Sequence, residues 1–432
     1  MGSKGGENLF QRMVLPNGLR ILVEEIPHVR SVSIGVWVGV GSRRERDDQA
    51  GISHFIEHLL FKGTEKRTAR QLAEAIEGLG GQINAYTTKE YTCYYAKVMD
   101  EHLGIATEVL ADMILSPRFD PGDMERERGV ILEEIKMYED TPDEEVHDLF
   151  ARSRWDGHPL GRPVLGSKEV IAGMRAADIL GYFRENYVPG QTVLSVAGHV
   201  QAKEVFDLVG GAFDAWEGSR SDLPTGEKPL DLPGVLLKKR RTEQVHLCLG
   251  TRGLPTGDER NYSLNVLNTI LGGGSSSRLF QKVREEMGLV YSIYSYPSSF
   301  DDAGLFTVYA GMSSRYLERV VSLIQREMQA LRQGEVSREE MVRAKEQLKG
   351  GLMLGLEGTG SRMSHLGRSE ILLGRVLSLD ELLAKIEAVT LEDLAAIAEL
   401  VLQIDDLSAA AVGPISEKRL SRLLPGGREK VS

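Results

Sequence analysis

Residues 82–97, Gln82-Ile-Asn-Ala-Tyr-Thr-Thr-Lys-Glu-Tyr-Thr-Cys-Tyr-Tyr-Ala-Lys97, return in altered form as Ser292-Ile-Tyr-Ser-Tyr296 followed by Phe306-Thr-Val-Tyr-Ala-Gly311. Each stretch reads as two strand-like runs rich in aromatic and β-branched residues. Each is followed by a helical stretch of similar length, Glu101 to Leu115 in one case and Tyr316 to Arg332 in the other. A strand pair and helix that occur twice in one chain point to a diverged duplication. Working outward, Gly18 to Glu25 and Ser31 to Val40 alternate as strands, and Val193 to Gly198 is strand-like again. Gly51 to Leu60 and Thr68 to Leu79 read as helices, the second stopped by Gly80-Gly81. In the second half, Gln244 to Gly250 is strand-like, and Asn261 to Leu271 and Ser276 to Glu286 are helical. Helices mixed with mostly hairpin-connected strands place each half in the α+β class, a mostly antiparallel sheet packed with helices.

The length of 432 residues suits two to three domains, each able to bury its own core. Between the two copies, residues 217–234 hold three prolines and three glycines, the composition of an interdomain linker. The expected division is a flexible tail at 1–11, a first domain at 12–216, the linker at 217–234, a second domain at 235–420 and a tail at 421–432. The hydrophobic share of 41% and charged share of 27% are those of a folded globular chain. A net charge of −11 excludes a general nucleic-acid binder. Cys93 and Cys248 make neither a disulfide framework nor a CxxC metal site, and fit a reducing compartment. No secretory or transit pattern and no run of 18 apolar residues is present, so a cytoplasmic protein away from membranes is expected.

The sharpest local signal is His54-Phe55-Ile56-Glu57-His58. On a helix the two histidines stand about 40° apart, so both imidazoles can reach one metal ion. Glu57 lies about 60° from His54 and can approach a water beside the metal without being a ligand. The glutamate precedes the second histidine, the reverse of the common zinc-protease order and the inverzincin arrangement. Phe55, Ile56, Leu59, Leu60 and Phe61 make this helix apolar, and three ionisable groups on it need a reason.

A third ligand has to come from elsewhere. Pro121 to Tyr138 reads as a helix with Asp120 as its cap and Val130, Ile131, Ile135 and Tyr138 as its apolar stripe. Glu127 and Glu134 are two turns apart on that stripe, while Glu133 is turned away. Either could be the ligand, and ion pairs to Arg126 or Arg128 are the competing use of both. Geometry along one helix leaves that choice open.

His54-x-x-Glu57-His58, with Glu134 seventy-six residues on within Glu125-Arg-Glu-Arg-Gly-Val-Ile-Leu-Glu-Glu134, resembles the pitrilysin/insulinase zinc peptidases. It looks most like the single-unit bacterial members and the catalytic subunit of the mitochondrial processing peptidase. The resemblance runs from Leu15-Pro-Asn-Gly18 to about Gly413. It implies one zinc per chain held by His54, His58 and Glu134, Glu57 as general base, and Glu127 as a second glutamate supporting the site. Leu271-Gly-Gly-Gly-Ser-Ser-Ser-Arg-Leu-Phe280 and Val283-Arg-Glu-Glu-Met-Gly-Leu-Val-Tyr-Ser292 resemble the family's C-terminal signature. They imply that Arg284 and Tyr291 contact the substrate backbone and the developing oxyanion, and Asn84-Ala85 matches the edge strand on which substrates add. The family fold further implies two homologous domains facing each other across a chamber, a homodimer, and unstructured oligopeptides or leader segments as substrates.

Two other readings carry less. A non-catalytic structural or assembly subunit of the same fold would not need the full set of signature residues, and a metal-dependent hydrolase of a non-peptide substrate has no feature of its own. Gly272-Gly-Gly-Ser-Ser-Ser277 lacks the Gly-Lys-Ser/Thr ending of a phosphate loop and reads as a flexible turn opening a helix. His147, His158 and His246 stand alone and read as structural. The acidic run from Glu139 to Glu145 reads as a solvated helix end, with a preference for basic peptides as its functional alternative.

Overall fold

The computed structural model describes residues 10–218 and 227–425. The parts of the expected tails and linker at 1–9, 219–226 and 426–432 lie outside the described residues. The expected tail at 1–11 is too long, because Gln11 already pairs with Val23 in the first strand. Ser421, expected in the C-terminal tail, ends a short helix, Glu417–Ser421, and Leu424 beyond it is buried.

Two compact units form. The first comprises residues 1–135, 163–226 and 354–378, and the second 136–162, 227–353 and 379–432. Two helical segments therefore fall in the unit opposite to the one their sequence position suggests. The first unit holds a six-stranded sheet of order β1-β2-β6-β3-β5-β4. Its strands are β1 (Gln11–Val14), β2 (Arg20–Glu25), β3 (Ser31–Val38), β4 (Gln82–Thr87), β5 (Thr92–Met99) and β6 (Thr192–Gly198). The second holds a five-stranded sheet of order β7-β11-β8-β10-β9, made of β7 (Val235–Lys239), β8 (Val245–Arg252), β9 (Val290–Ser299), β10 (Gly304–Met312) and β11 (Ser408–Gly413).

The duplication is visible in pairing sense. β2 runs parallel to β6, and β6-β3-β5-β4 is antiparallel throughout. β7 runs parallel to β11, and β11-β8-β10-β9 is antiparallel throughout. β4 and β9, the repeated motif of the sequence, are edge strands at the same place in the two sheets.

Each sheet is covered on both faces. In the first unit, α1 (Ile52–Leu60), α2 (Ala69–Glu77) and α3 (Leu103–Leu115) share a core with Ile34, Val36 and Tyr94. The opposite face, with Trp37, Leu22 and Val193, meets Met363 and Leu366 of the helix Thr359–Leu373. A Cβ at Gly367 would sit 2.0 Å from Trp37 Nε1, so the helix rests directly on the indole. α4 (Pro121–Glu139) is followed by α5 (Pro142–Arg154), which covers one face of the second sheet, placing Val146 and Phe150 against Cys248, Tyr309, Ala410 and Val412. Strands covered twice are buried along their whole length, as β6 and β10 are. Both cysteines are buried and unpaired. No helix among the described residues is long and apolar enough to cross a membrane.

The C-terminal part of the expected linker is held to the second unit. Asp231 pairs with Arg154, and the Leu232 amide donates to the Arg154 carbonyl at 3.4 Å.

Candidate metal centre

α1 starts at Gly51, whose φ of 94° is the left-handed region glycine enters without strain. A Cβ there would also lie 2.6 Å from the Leu165 carbonyl oxygen. The helix N-terminus is capped from a distance, because the amides of Gly51 and Ser53 donate to the two carboxylate oxygens of Glu45 at 2.7 and 2.9 Å. With its start fixed, α1 buries Phe55, Ile56, Leu59 and Leu60 and leaves Glu57 and His58 partly open.

α4 begins as its sequence suggests. Asp120 Oδ1 accepts from the amides of Gly122 and Asp123 at 2.9 and 3.1 Å. Ile131 and Ile135 are buried, but Val130, expected on the same stripe, is 49% exposed. The arginines that competed for the glutamates are engaged elsewhere. Arg126 pairs with Asp123. Arg128 pairs with Glu125, donates to the carbonyls of Ile171 and Met174, and lies over the Phe55 ring at 5.5 Å.

The structure brings His54, His58 and Glu134 together. Their ligand atoms all lie within 4.8 Å of one another. Glu134 Oε2 stands 3.7 Å from His54 Nε2 and 3.5 Å from His58 Nε2. Glu127, nearly fully buried, turns to the other nitrogen of His58, with Oε2 at 3.2 Å from Nδ1. Its Oε1 accepts from Lys62 Nζ at 2.8 Å. The two glutamates thus have different surroundings: Glu134 faces both imidazoles, and Glu127 backs one of them. A carboxylate on Nδ1 fixes the tautomer that presents Nε2.

Burial, reinforced by neighbouring His58, pulls the pKa of His54 down to about 4, so that imidazole is neutral near pH 7. Burial also works against the charged form of His58, but hydrogen bonds to Glu134 and Glu127 outweigh it and hold its pKa above the usual value. The His58 hydrogen bond holds Glu134 below the ordinary carboxyl range. Glu57 goes the other way. Burial raises its pKa, opposed by the hydroxyl of Thr87, which donates to Oε2 at 2.5 Å. Two imidazoles and one carboxylate converging from two helices are a donor set that fits zinc, with the Glu57 carboxylate close by and outside the set.

Two residues of this site were not singled out in the sequence. Lys62 lies in the turn just past the end of α1, so no helix-face spacing announces it. Thr87 could not have been found from α1, since only the placement of β4 brings it to Glu57. Asn84 and Ala85 lie on β4, which pairs with β5 and has no partner strand on its other side among the described residues.

Arg284 and Tyr291 belong to the second unit. Arg284 lies on a π-helical segment, Phe280–Glu286, within the stretch expected to be an ordinary helix, and its guanidinium stacks over Phe280 at 4.7 Å. Tyr291 is the second residue of β9 and is 75% exposed. The turn at Gly272 is tightly packed, for a Cβ there would meet the Ser295 amide at 2.5 Å.

His147 and His246 do not stand alone. With Tyr291, Tyr294 and Tyr309 they line a cavity of about 730 Å³ in this unit, rimmed by Asp143, Glu144 and Glu243. The acidic run is only partly solvated, since Glu145 is buried and pairs with Lys238 and Arg240. His158 accepts from the Leu160 amide and bonds the Glu227 carbonyl, consistent with a structural part.

Lys62→Met is expected to leave Glu127 buried without its cation and to loosen His58. Zinc affinity should fall by about 10- to 100-fold, read by competition with a chromophoric chelator. Unchanged affinity would remove Lys62 from the site.

Residues 20–168 match the family described as Insulinase (Peptidase family M16), and residues 174–348 match the Peptidase M16 inactive domain. The chain is 45% identical over 409 residues to the uncharacterized zinc protease YmxG of Bacillus subtilis, covering 94% of this chain and 98% of that one. It is 43% identical over 426 residues to an uncharacterized zinc protease of Streptomyces coelicolor, covering 97% and 92%. The crystal structure of a protease from Helicobacter pylori superposes with a TM-score of 0.87 at 21% identity, covering 94% of this chain and 99% of that one, which is a likeness of fold. Matches to two successive family domains, and relatives this similar along their whole length, establish that the chain belongs to the insulinase family of peptidases, family M16.

Proposed function

We propose that this protein is a zinc-dependent endopeptidase acting on unstructured oligopeptides or leader segments, with one zinc per chain held by His54, His58 and Glu134. The observation that carries the proposal is the convergence of those three donors beside Glu57, a carboxylate that is held in place and stays outside the donor set. Bound there, zinc would supply a Lewis acid for the scissile carbonyl and lower the pKa of water. Glu57 takes a proton from the attacking water and returns it to the leaving amine, a task suited to a carboxyl whose proton affinity is raised by burial. Burial favours the neutral form of His54, the form that offers a ring nitrogen lone pair to a metal. Glu127 and Lys62 keep the His58 ring oriented.

An extended peptide can add to the outer edge of β4, the last strand of its sheet, at Asn84 and Ala85 through main-chain hydrogen bonds. Arg284 and Tyr291 are assigned to the substrate backbone and the developing oxyanion. With Glu145 neutralised, Asp143 and Glu144 still make the aromatic cavity of the second unit negative at its rim, which supports basic side chains in the peptide. The active form is taken to be a homodimer.

The test is cleavage of a quenched, unstructured peptide by purified protein, in a basic and a neutral version of equal length. Cleavage should stop when zinc is stripped with a chelator and return when zinc is restored. Persistence of cleavage in the metal-free protein would overturn the zinc assignment. Equal kcat/KM for the two peptides would remove the basic preference. A zinc-loaded protein that cleaves no peptide would favour the non-catalytic structural subunit.

A further inference from the structure

We infer that Thr87 is a positioning residue for Glu57, holding the carboxylate in the one orientation that leaves Oε1 free to accept the proton of the attacking water. The inference rests on the peptidase reading above and adds a residue to it. Thr87 is the last residue of β4, opposite Thr92 of β5. Alternate residues of a strand share a face, and Ile83 and Ala85 of that face pack on the core that includes α1. Thr87 follows them in the same alternation, and its hydroxyl donates to Glu57 Oε2 at 2.5 Å. Among the described residues no second hydrogen bond to the Glu57 carboxylate is found.

The consequence is chemical as well as geometric. A threonine hydroxyl has one proton, and here it is given to Oε2. That oxygen is engaged as an acceptor, so the carboxylate turns its other oxygen to the reaction. A glutamate side chain with no such anchor can swing about three torsions, and a general base works only within hydrogen-bond reach of the proton it takes. Thr87 also lies two residues beyond Ala85 on the edge strand assigned to the peptide. One strand would therefore align both substrate and base, the peptide through its backbone and Glu57 through a side chain.

Thr87→Val keeps the shape and deletes the hydroxyl, and Thr87→Ser keeps the hydroxyl. Thr87→Val should lower kcat by about 10- to 100-fold with KM, zinc content and melting temperature unchanged. Thr87→Ser should recover most of that loss. A crystal structure of Thr87→Val should show the Glu57 carboxylate displaced or spread over two rotamers. Wild-type kcat in Thr87→Val, a loss confined to KM, or a Thr87→Ser variant as slow as Thr87→Val would each overturn the inference. A zinc-loaded wild type that cleaves no peptide would instead overturn the peptidase reading. In that case an unmoved Glu57 in the Thr87→Val structure would overturn the positioning role separately.

Discussion

Glu57→Gln is expected to abolish peptide hydrolysis while leaving zinc content and fold intact. Gln has the size of Glu, and its carbonyl oxygen can still accept from Thr87. Its amide cannot take a proton from water. Loss of a general base costs about 10²- to 10⁴-fold in rate, so residual cleavage should fall near the detection limit of a quenched-peptide assay. Zinc should remain at one per chain by elemental analysis, because His54, His58 and Glu134 are untouched. Stability should hold or rise slightly, since burial disfavours the charged form of Glu57 and the amide removes that charge. The variant separates the two readings of the family fold. An enzyme loses activity and keeps everything else; a structural subunit has nothing to lose. A Glu57→Gln protein that still cleaves at the wild-type rate would show that another group is the base.

Much of this site was readable because its signals are local. His54, Glu57 and His58 share one short helix, and the cap at Asp120 announces the next. Glu127 and Glu134 share a helix stripe, and nothing along that helix says which of them faces the histidines. The distinction is tertiary. Glu134 reaches both Nε2 atoms, while Glu127 is caught between His58 Nδ1 and Lys62. The resemblance to the family implies Glu134 as the ligand and Glu127 as its support, a division no motif on this one helix carries by itself.

The domain pattern was less legible, for a reason visible in the strands. β3 and β10 are buried along nearly their whole length because a helix lies on each face of their sheets. Such strands lose the polar-apolar alternation that tells how many layers surround them. Trp37 gives no hint in sequence that Gly367, 330 residues away, is the glycine it packs on. α5 carries the acidic residues Asp143, Glu144 and Glu145 in its first turn, a composition that suggests solvent. The same helix buries Val146, Phe150 and Arg154, so its apolar face, and with it the unit it belongs to, is masked by its charges. His147 and His246, one on α5 and one on β8, seemed solitary for the same reason: the tyrosines around them come from other strands.

Arg154 should give the largest stability effect. Its side chain has no solvent exposure. The guanidinium bridges Asp231 at 2.6 Å and Asp406 at 3.0 Å, and Nη1 also donates to the Asp406 carbonyl at 2.7 Å and to Ser408 Oγ at 3.2 Å. One side chain thereby ties α5, the segment before β7 and the entry to β11. Arg154→Ala removes the shared cation from two carboxylates and strands the Asp406 carbonyl without that donor, while Ser408 Oγ keeps the Gly234 amide at 3.0 Å. Breaking a buried pair from one side costs about 3–5 kcal/mol, far above the value of an exposed pair. Urea unfolding should show the loss. Adding Asp231→Asn and Asp406→Asn to the Arg154→Ala chain should recover part of it, because the uncompensated charges go with the carboxylates while the cavity remains. A single-variant loss below about 1 kcal/mol would mean that water reaches these carboxylates and that the cluster behaves as a surface pair. Equal losses for the single and triple variants would assign the cost to packing, since both lack the guanidinium and share its cavity and only the carboxylate charges differ.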